Sequence, residues 1–427
     1  MGIARTLPVI MPVVEGQRWS CHSCGNCCRT LVGHLTDAER MRLDEQEWSK
    51  KLGAAVYVRA GREWALNKQA DGACVFLDEH NRCRIHAEYG EAAKPLACRI
   101  FPFSVRPTRA GWQASLRFDC PSVTSSKGQP ITQHRRWLSE LVGELEGRHE
   151  HRAEIVWLQR GVRASDEEVA LLLTRLLDWL ADARRSMPDR LVGAACLTAT
   201  LERAKLRNVR GARFAELLGL LMESLPAECR SEVTSATDKQ RAMLRQYAFA
   251  HAEHVSLAEL RGGLGERWSK RWRQLRSARQ FLRGEGLAPP LPGFPGAVPF
   301  DMISRVAPAA ERAPEIEDLL RRYLTARLAG RTVFGDGFYG WPVFRGLAAC
   351  WLSVAAAGWL ARYAAAAAGR NALTFEDAAF ALGVVDRAAT RLPALGTFAE
   401  RTRIGYLLDD DGVARLLREF ALLKATS

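Results

Sequence analysis

The sequence predicts a small α+β, cysteine-rich N-terminal module over residues 1–125, followed by a mainly α-helical C-terminal region. Three observations lead there. Eight of the eleven cysteines fall within the first 120 residues of a 427-residue chain. Short alternating segments punctuated by turn residues fill the same stretch. Beyond residue 130 the apolar residues recur at three- and four-residue spacing, the mark of amphipathic helices. The stretch GLAPPLPGFPGAVPF at 286–300 holds five of the 18 prolines and is expected as loop. It divides the helical part into 126–285 and 300–427.

Taken in order, the N-terminal run MGIARTLPVIMPVVEGQRW is broken by Pro8 and Pro12 and is too short for the apolar core of a secretory signal. A cytoplasmic protein is the expectation. In a reducing compartment clustered thiols serve as ligands or redox groups rather than disulfides. Vicinal Cys27 and Cys28 point the same way, because a bridge between neighbours distorts the backbone. After CHSCGNCC (21–28), Thr36 followed by Glu39 is a capping box opening a helix of about three turns. AVYVRAGREWALNK alternates as a hairpin turning near Ala60-Gly61, and CVFLDEHNRCRIH is expected as a tighter one turning at Asp78–Asn81. FSVRPTRAGWQASLRFDC is expected as two strands around Pro107–Gly111, and PSVTSSKGQP (121–130) as a linker.

The helical region begins with ASDEEVALLLTRLLDWLADARR and continues through GARFAELLGLLMESL, LRRYLTARLAG and TFEDAAFALGVVDRAATR. GLAACWLSVAAAGWLA (346–361) falls short of the roughly 20 apolar residues that a bilayer requires. It is expected as a buried core helix, so no transmembrane segment is predicted. Cys196, Cys229 and Cys350 lie in apolar helical sequence and are expected as small buried hydrophobes. The glycine run GDGFYG (335–340) lacks a preceding strand and is expected as plain loop.

With 48% hydrophobic and 26% charged residues the composition excludes a disordered chain. The formal charge of +13 permits association with nucleic acid, an anionic membrane or an acidic protein. Thiolates at an occupied metal centre lower that charge. The basic segment RWSKRWRQLRSARQFLR (267–283) places Trp268, Trp272, Leu275 and Leu282 on one helical face. The expected arrangement packs that stripe on the core; the alternative is docking to an acidic partner, nucleic acid or anionic lipid.

The cysteines carry the chemistry. A C-x-x-C turn brings two soft thiolate donors to one side, and Cys21/Cys24 and Cys24/Cys27 both have that spacing. Cys28 serves a second metal, stands as a free thiol or replaces Cys27. Cys74, Cys83, Cys98 and Cys120, expected at strand ends or in loops, have no C-x-x-C and need tertiary folding to meet the others. A single knuckle-like run argues against a zinc ribbon, while C-x-x-C-x-x-C with a remote Cys-Pro favours an iron–sulfur cluster over zinc. His22 and His86 lie beside these cysteines but are expected as surface residues, as are His149, His151, His251 and His254. Arg99 and Arg106 lie near the cysteines, where they either offset thiolate charge or simply face solvent.

CHSCGNCC, CVFLDEHNRCRIH, KPLACRIFPF and SLRFDCPSV, in that order over residues 18–123, resemble the YkgJ-type cysteine-cluster family, described as zinc- or iron-chelating. All eight N-terminal cysteines fall on its pattern. The whole-chain layout resembles flagellin lysine-N-methylase, which implies transfer of a methyl group from S-adenosylmethionine to a lysine-bearing protein such as flagellin. The spacing differs from the C-x-x-x-C-x-x-C of radical S-adenosylmethionine enzymes, and no Gly-rich doubly wound cofactor turn is present. Two functions therefore stand at the sequence level: a metal-dependent protein-lysine methyltransferase, and a non-enzymatic metal-stabilised or redox-sensing interaction protein. No catalytic or cofactor-binding residue is assigned for either.

Overall fold

The structure is a computed structural model describing residues 8–424, apart from residue 13 and residues 109–110, 147–153, 232–234, 254–256, 258–260, 262–263, 311–312 and 390. The N-terminal part runs β1 (Val9–Ile10), β2 (Arg18–Trp19), α1 (Asn26–Thr30), β3 (His34–Leu35), α2 (Asp37–Glu45), α3 (Trp48–Leu52), β4 (Tyr57–Ala60), β5 (Glu63–Leu66), α4 (Arg84–Tyr89), α5 (Leu96–Ile100), β6 (Phe103–Thr108), β7 (Gly111–Leu116), α6 (Pro121–Thr124) and β8 (Gln129–Pro130). The capping box at α2 forms as expected: Glu39 N–H donates to Thr36 Oγ1, and Thr36 N–H to the Glu39 carboxylate. The other Glu39 oxygen accepts the Leu96 N–H at 2.7 Å, so the same carboxylate fixes the start of the short helix that carries Cys98.

The first hairpin is also as expected, β4 and β5 pairing from Tyr57–Leu66 to Ala60–Glu63, with β3 added on the far edge of β5. The second is not. Its turn is present, with Asp78 N–H on Arg82 O, but its arms make only single bridges, Lys68–Cys74 and Leu77–Cys83. The Gln69 side-chain amide satisfies the Cys74 and Leu77 carbonyls in place of a partner strand. The chain then turns directly into α4.

Three hydrophobic clusters result among the described residues, the least of them only Ala60, Ala65 and Leu257. Leu35, Leu43, Trp48, Val56, Leu66, Phe76, Leu77 and Ile85 form a small one, against which Cys28, Cys83 and Cys98 pack. The β1-β7-β6 sheet, in which β1 runs parallel and β6 antiparallel to β7, instead joins the large helical core through Trp112, Leu116 and Phe118. Residues 121–130 are correspondingly no linker: α6 buries Ser122, Val123 and Thr124, and β8 pairs with β2.

The remainder runs α7 (Arg135–Glu146), the small ribbon β9 (Trp157–Gln159) and β10 (Val162–Arg163), α8 (Asp166–Ala181), α9 (Met187–Arg203), α10 (Ala212–Ser231), α11 (Asp238–Ala252), α12 (Leu264–Arg283), β11 (Leu287–Ala288), β12 (Val298–Pro299), α13 (Phe300–Arg305), α14 (Pro314–Ala329), α15 (Val343–Ala367), α16 (Phe375–Ala388), α17 (Phe398–Asp409) and α18 (Gly412–Glu419). Most of the Pro-rich stretch at 286–300 is loop, pinned at its ends by the β11–β12 pair. Helix α15 is long and apolar enough to cross a bilayer, but 94% of its apolar window is buried within the protein. Helices α9, α11, α13, α16, α17 and α18 surround it, which makes it the central core helix. The apolar stripe of α12 departs from expectation. Trp268, Trp272, Leu275 and Leu282 all face solvent, and Phe281 provides the buried contact instead.

Candidate metal centre

Cys21 and Cys24 lie on an exposed loop that ends at Gly25. Gly25 has φ +70°, and an added Cβ there meets Asn81 Oδ1 at 2.8 Å, so this turn requires glycine. It opens α1, whose first turn presents Cys27 and Cys28. The Asn26 side-chain amide donates to Asp119 O at 2.9 Å and ties this turn to the strand end that leads to Cys120. Cys74 donates its N–H to Cys28 O at 2.8 Å, and Lys68 Nζ reaches the same carbonyl at 2.6 Å. Cys83 caps α4, Cys120 caps α6, and Cys98 lies inside α5 rather than at a strand end or in a loop.

These separate segments converge. Cys21, Cys24, Cys27, Cys28, Cys74, Cys83, Cys98 and Cys120 all border one cavity of about 850 Å³. Among the described residues no three His, Cys, Asp or Glu side chains already stand in a closed ligand set around a single point. The thiols nonetheless influence one another electrostatically in two overlapping groups. Cys74, Cys83, Cys98 and Cys27 form one, and Cys24, Cys27 and Cys120 the other.

Burial pushes the Cys74 thiol up to about 11 and those of Cys98 and Cys120 up to about 12. Cys27, hydrogen-bonded to Cys28 and buried, is pushed up further. In this state these four are neutral thiols at pH 7, so a metal that takes them as thiolates must displace their protons. The wall opposes that cost with positive charge. Lys94 lowers Cys98 and Cys27, and Lys68 lowers Cys74, while burial depresses Lys68 itself. Soft sulfur donors with adjacent cations suit zinc or iron.

His22 and His86 are exposed, as expected, yet both line the cavity, and His22 Nδ1 lies 2.9 Å from Ser122 Oγ. Arg99 borders it too and forks onto Glu144, whereas Arg106 pairs with Glu154 outside it. The 335–340 run is a turn away from the cavity. Cys350 is buried in α15 and Cys196 half-buried in α9; the Cys229 side chain, His149, His151 and His254 fall outside the described residues. His251 is a correction. It is fully buried, with Nδ1 2.9 Å from Tyr247 O, and burial holds it down at about 4.

Other groups at the site had no local signal. The far wall comes from the helical region: Glu253 after α11, Arg387 in α16, and Arg391, Leu392 and Pro393 beyond it. Asp386 accepts the Phe118 N–H at 2.7 Å, and Arg391 stands 3.8 Å from Asp119, whose carboxyl burial pushes up to about 6. Arg322, buried in α14, donates to Gln17 Oε1, Val123 O and Thr124 O at 2.9, 3.0 and 2.8 Å. One guanidinium thus holds the chain both before Cys21 and after Cys120.

Comparison with known proteins finds a family match over the same stretch of the chain. Residues 20–121 match the CxxCxxCC family, described as "Putative zinc- or iron-chelating domain". The match ends where the helical region begins. The chain is also 34% identical over 92 residues to an uncharacterized protein of Methanocaldococcus jannaschii, an alignment covering 21% of this chain and 31% of that protein. The alignment therefore spans about a third of the length of that relative. No solved structure matches the chain.

Proposed function

We propose that this is a metal-centre protein whose eight N-terminal cysteines supply the ligands, with an iron–sulfur cluster favoured over zinc. The carrying observation is the convergence of all eight on one cavity from sequence positions 21 to 120. A lone structural zinc takes four ligands, so eight sulfurs on one wall exceed its need. Cys27, common to both electrostatic groups, is the hinge of the set. When bound, the metal would supply electron transfer or structural cross-linking. The chain's own residues bury Cys74 and Cys120, lower the cost of thiol ionisation through Lys68 and Lys94, and form the far wall with Arg387 and Arg391.

The volume supports a second reading, methyl transfer from S-adenosylmethionine to a protein lysine. At about 850 Å³ the cavity also admits a nucleoside-sized cofactor. Arg387 and Arg391 offer positive charge for its carboxylate.

The test is anaerobic purification with metal and sulfide analysis and an absorption spectrum, using Cys98→Ser as control. Iron, acid-labile sulfide and a broad band at about 400 nm, lost in the variant, support the cluster. Stoichiometric zinc without colour selects the structural alternative. Neither metal after reconstitution sinks the ligand reading. Calorimetry with S-adenosylmethionine, followed by methyl transfer to flagellin, decides the second reading. No cofactor binding leaves a non-enzymatic interaction protein.

A further inference from the structure

Helix α12 has two faces with different fates. Phe281 is buried and stacks on Phe249 at a ring-centroid distance of 4.9 Å, while Lys270 and Gln274 both engage Glu253 at the end of α11. The helix is thereby fastened to the protein along one side. On the opposite side Trp268 is 64% exposed, Trp272 65%, Leu275 50% and Leu282 45%. Their spacing of i, i+4, i+7 and i+14 keeps all four within an arc of about 80°, over a length of about 21 Å. Arg271, Arg276, Arg279 and Arg283 are exposed on and beside that arc, and none of the four has an ion pair among the described residues. Leu287, just beyond the helix, is exposed as well.

Four arginines without counter-charges among the described residues flank an apolar stripe, and this arrangement is complementary to a surface that is anionic outside and apolar just beneath. We propose that α12 docks the protein onto an anionic phospholipid surface. Trp268, Trp272, Leu275 and Leu282 enter the boundary between headgroups and acyl chains. The arginines, whose aliphatic stems are long enough to lie along the stripe, meet the lipid phosphates. Nucleic acid matches this face less well. Indoles stack on bases, but Leu275 and Leu282 gain nothing from them and would remain in water.

The experiment is flotation of the full-length protein, as isolated, with vesicles of phosphatidylcholine alone or mixed with phosphatidylglycerol. Binding only to the acidic vesicles, weakened by 0.5 M salt on the order of the screening expected for surface charge, is the expected result. Trp268→Ser with Trp272→Ser is expected to reduce partition at least roughly tenfold, and Arg276→Gln with Arg279→Gln roughly thirtyfold. All four side chains lie on the solvent face, so both variants should retain the wild-type unfolding midpoint and metal content, which are measured alongside. Equal binding to neutral vesicles, binding unchanged in both double variants, or no binding at low salt would overturn the proposal. Displacement of vesicles by a single-stranded oligonucleotide would assign the face to nucleic acid instead.

Discussion

Removing the Arg322 guanidinium should loosen the cysteine-bearing module and the helices together. Arg322→Met keeps most of the buried volume but withdraws three hydrogen bonds, to Gln17 Oε1, Val123 O and Thr124 O, and the pairing with Asp318 at 2.6 Å. Asp318 is nearly half exposed and rehydrates, so the loss falls on the three buried acceptors. At about 1.5 kcal/mol for each charge-assisted bond the sum is roughly 4.5 kcal/mol, within the range for breaking a buried charged network. Arg322→Lys retains the charge near Asp318 but lacks the fork, and should recover less than half of that loss. Two measurements read it: the urea midpoint, and the rate at which a chelator strips metal from the as-isolated protein. Both should worsen in Arg322→Met, since the clamp lies on both flanks of the cysteines. An unfolding free energy within about 1 kcal/mol of wild type, or an unchanged stripping rate, would refute the clamp.

His251 supplies a pH dependence. Its folded value of about 4 lies below the roughly 6.5 of an unfolded histidine, so the unfolded chain takes up the proton first. Stability is therefore full above pH 6.5 and declines as pH falls towards 4, by about 2 kcal/mol at pH 5; urea midpoints at pH 7 and 5 should lie closer together in His251→Gln. Gly358→Ala, although it replaces glycine by the best helix former, should destabilise by roughly 3 kcal/mol or prevent folding, because the new Cβ would stand 1.8 Å from Phe420 O; expression yield and thermal unfolding test this. Cys350→Ala should leave metal content unchanged and cost about 1 kcal/mol or less, which metal analysis and denaturation will check.

The legible parts of the fold are those set by neighbours in the chain. Thr36 and Glu39 cap α2 because both partners lie within one turn, and the β4–β5 hairpin follows from alternation around Gly61. The second hairpin departs from expectation because Asp78–Asn81 is a true turn, while the strand partners that the arms lack are replaced by the side chain of Gln69, whose reach to the Cys74 and Leu77 carbonyls has no signature in the alternation of residues. Residues 121–130 have linker composition, but Arg322, some two hundred positions away, satisfies the Val123 and Thr124 carbonyls and permits their burial. The cysteines themselves were visible in the sequence as a set; Lys68, Lys94, Arg387 and Arg391 on the same cavity were not, since an isolated basic residue has no spacing signature. His251 looked like a surface histidine because a helical register alone does not say which face meets a neighbour.

The far wall of the cavity has a consequence for biosynthesis. Cys21 to Cys28 leave the ribosome before Arg387 and Arg391, which follow about 360 residues later. At typical elongation rates that interval is about 18 to 72 seconds, during which the first thiols exist without the far wall. Metal delivered in that window meets an open, competing set of sulfurs; metal delivered afterwards meets sulfurs already gathered around one cavity that Arg387 and Arg391 also line. The order of translation and loading thus becomes part of how a nascent chain reaches its mature state.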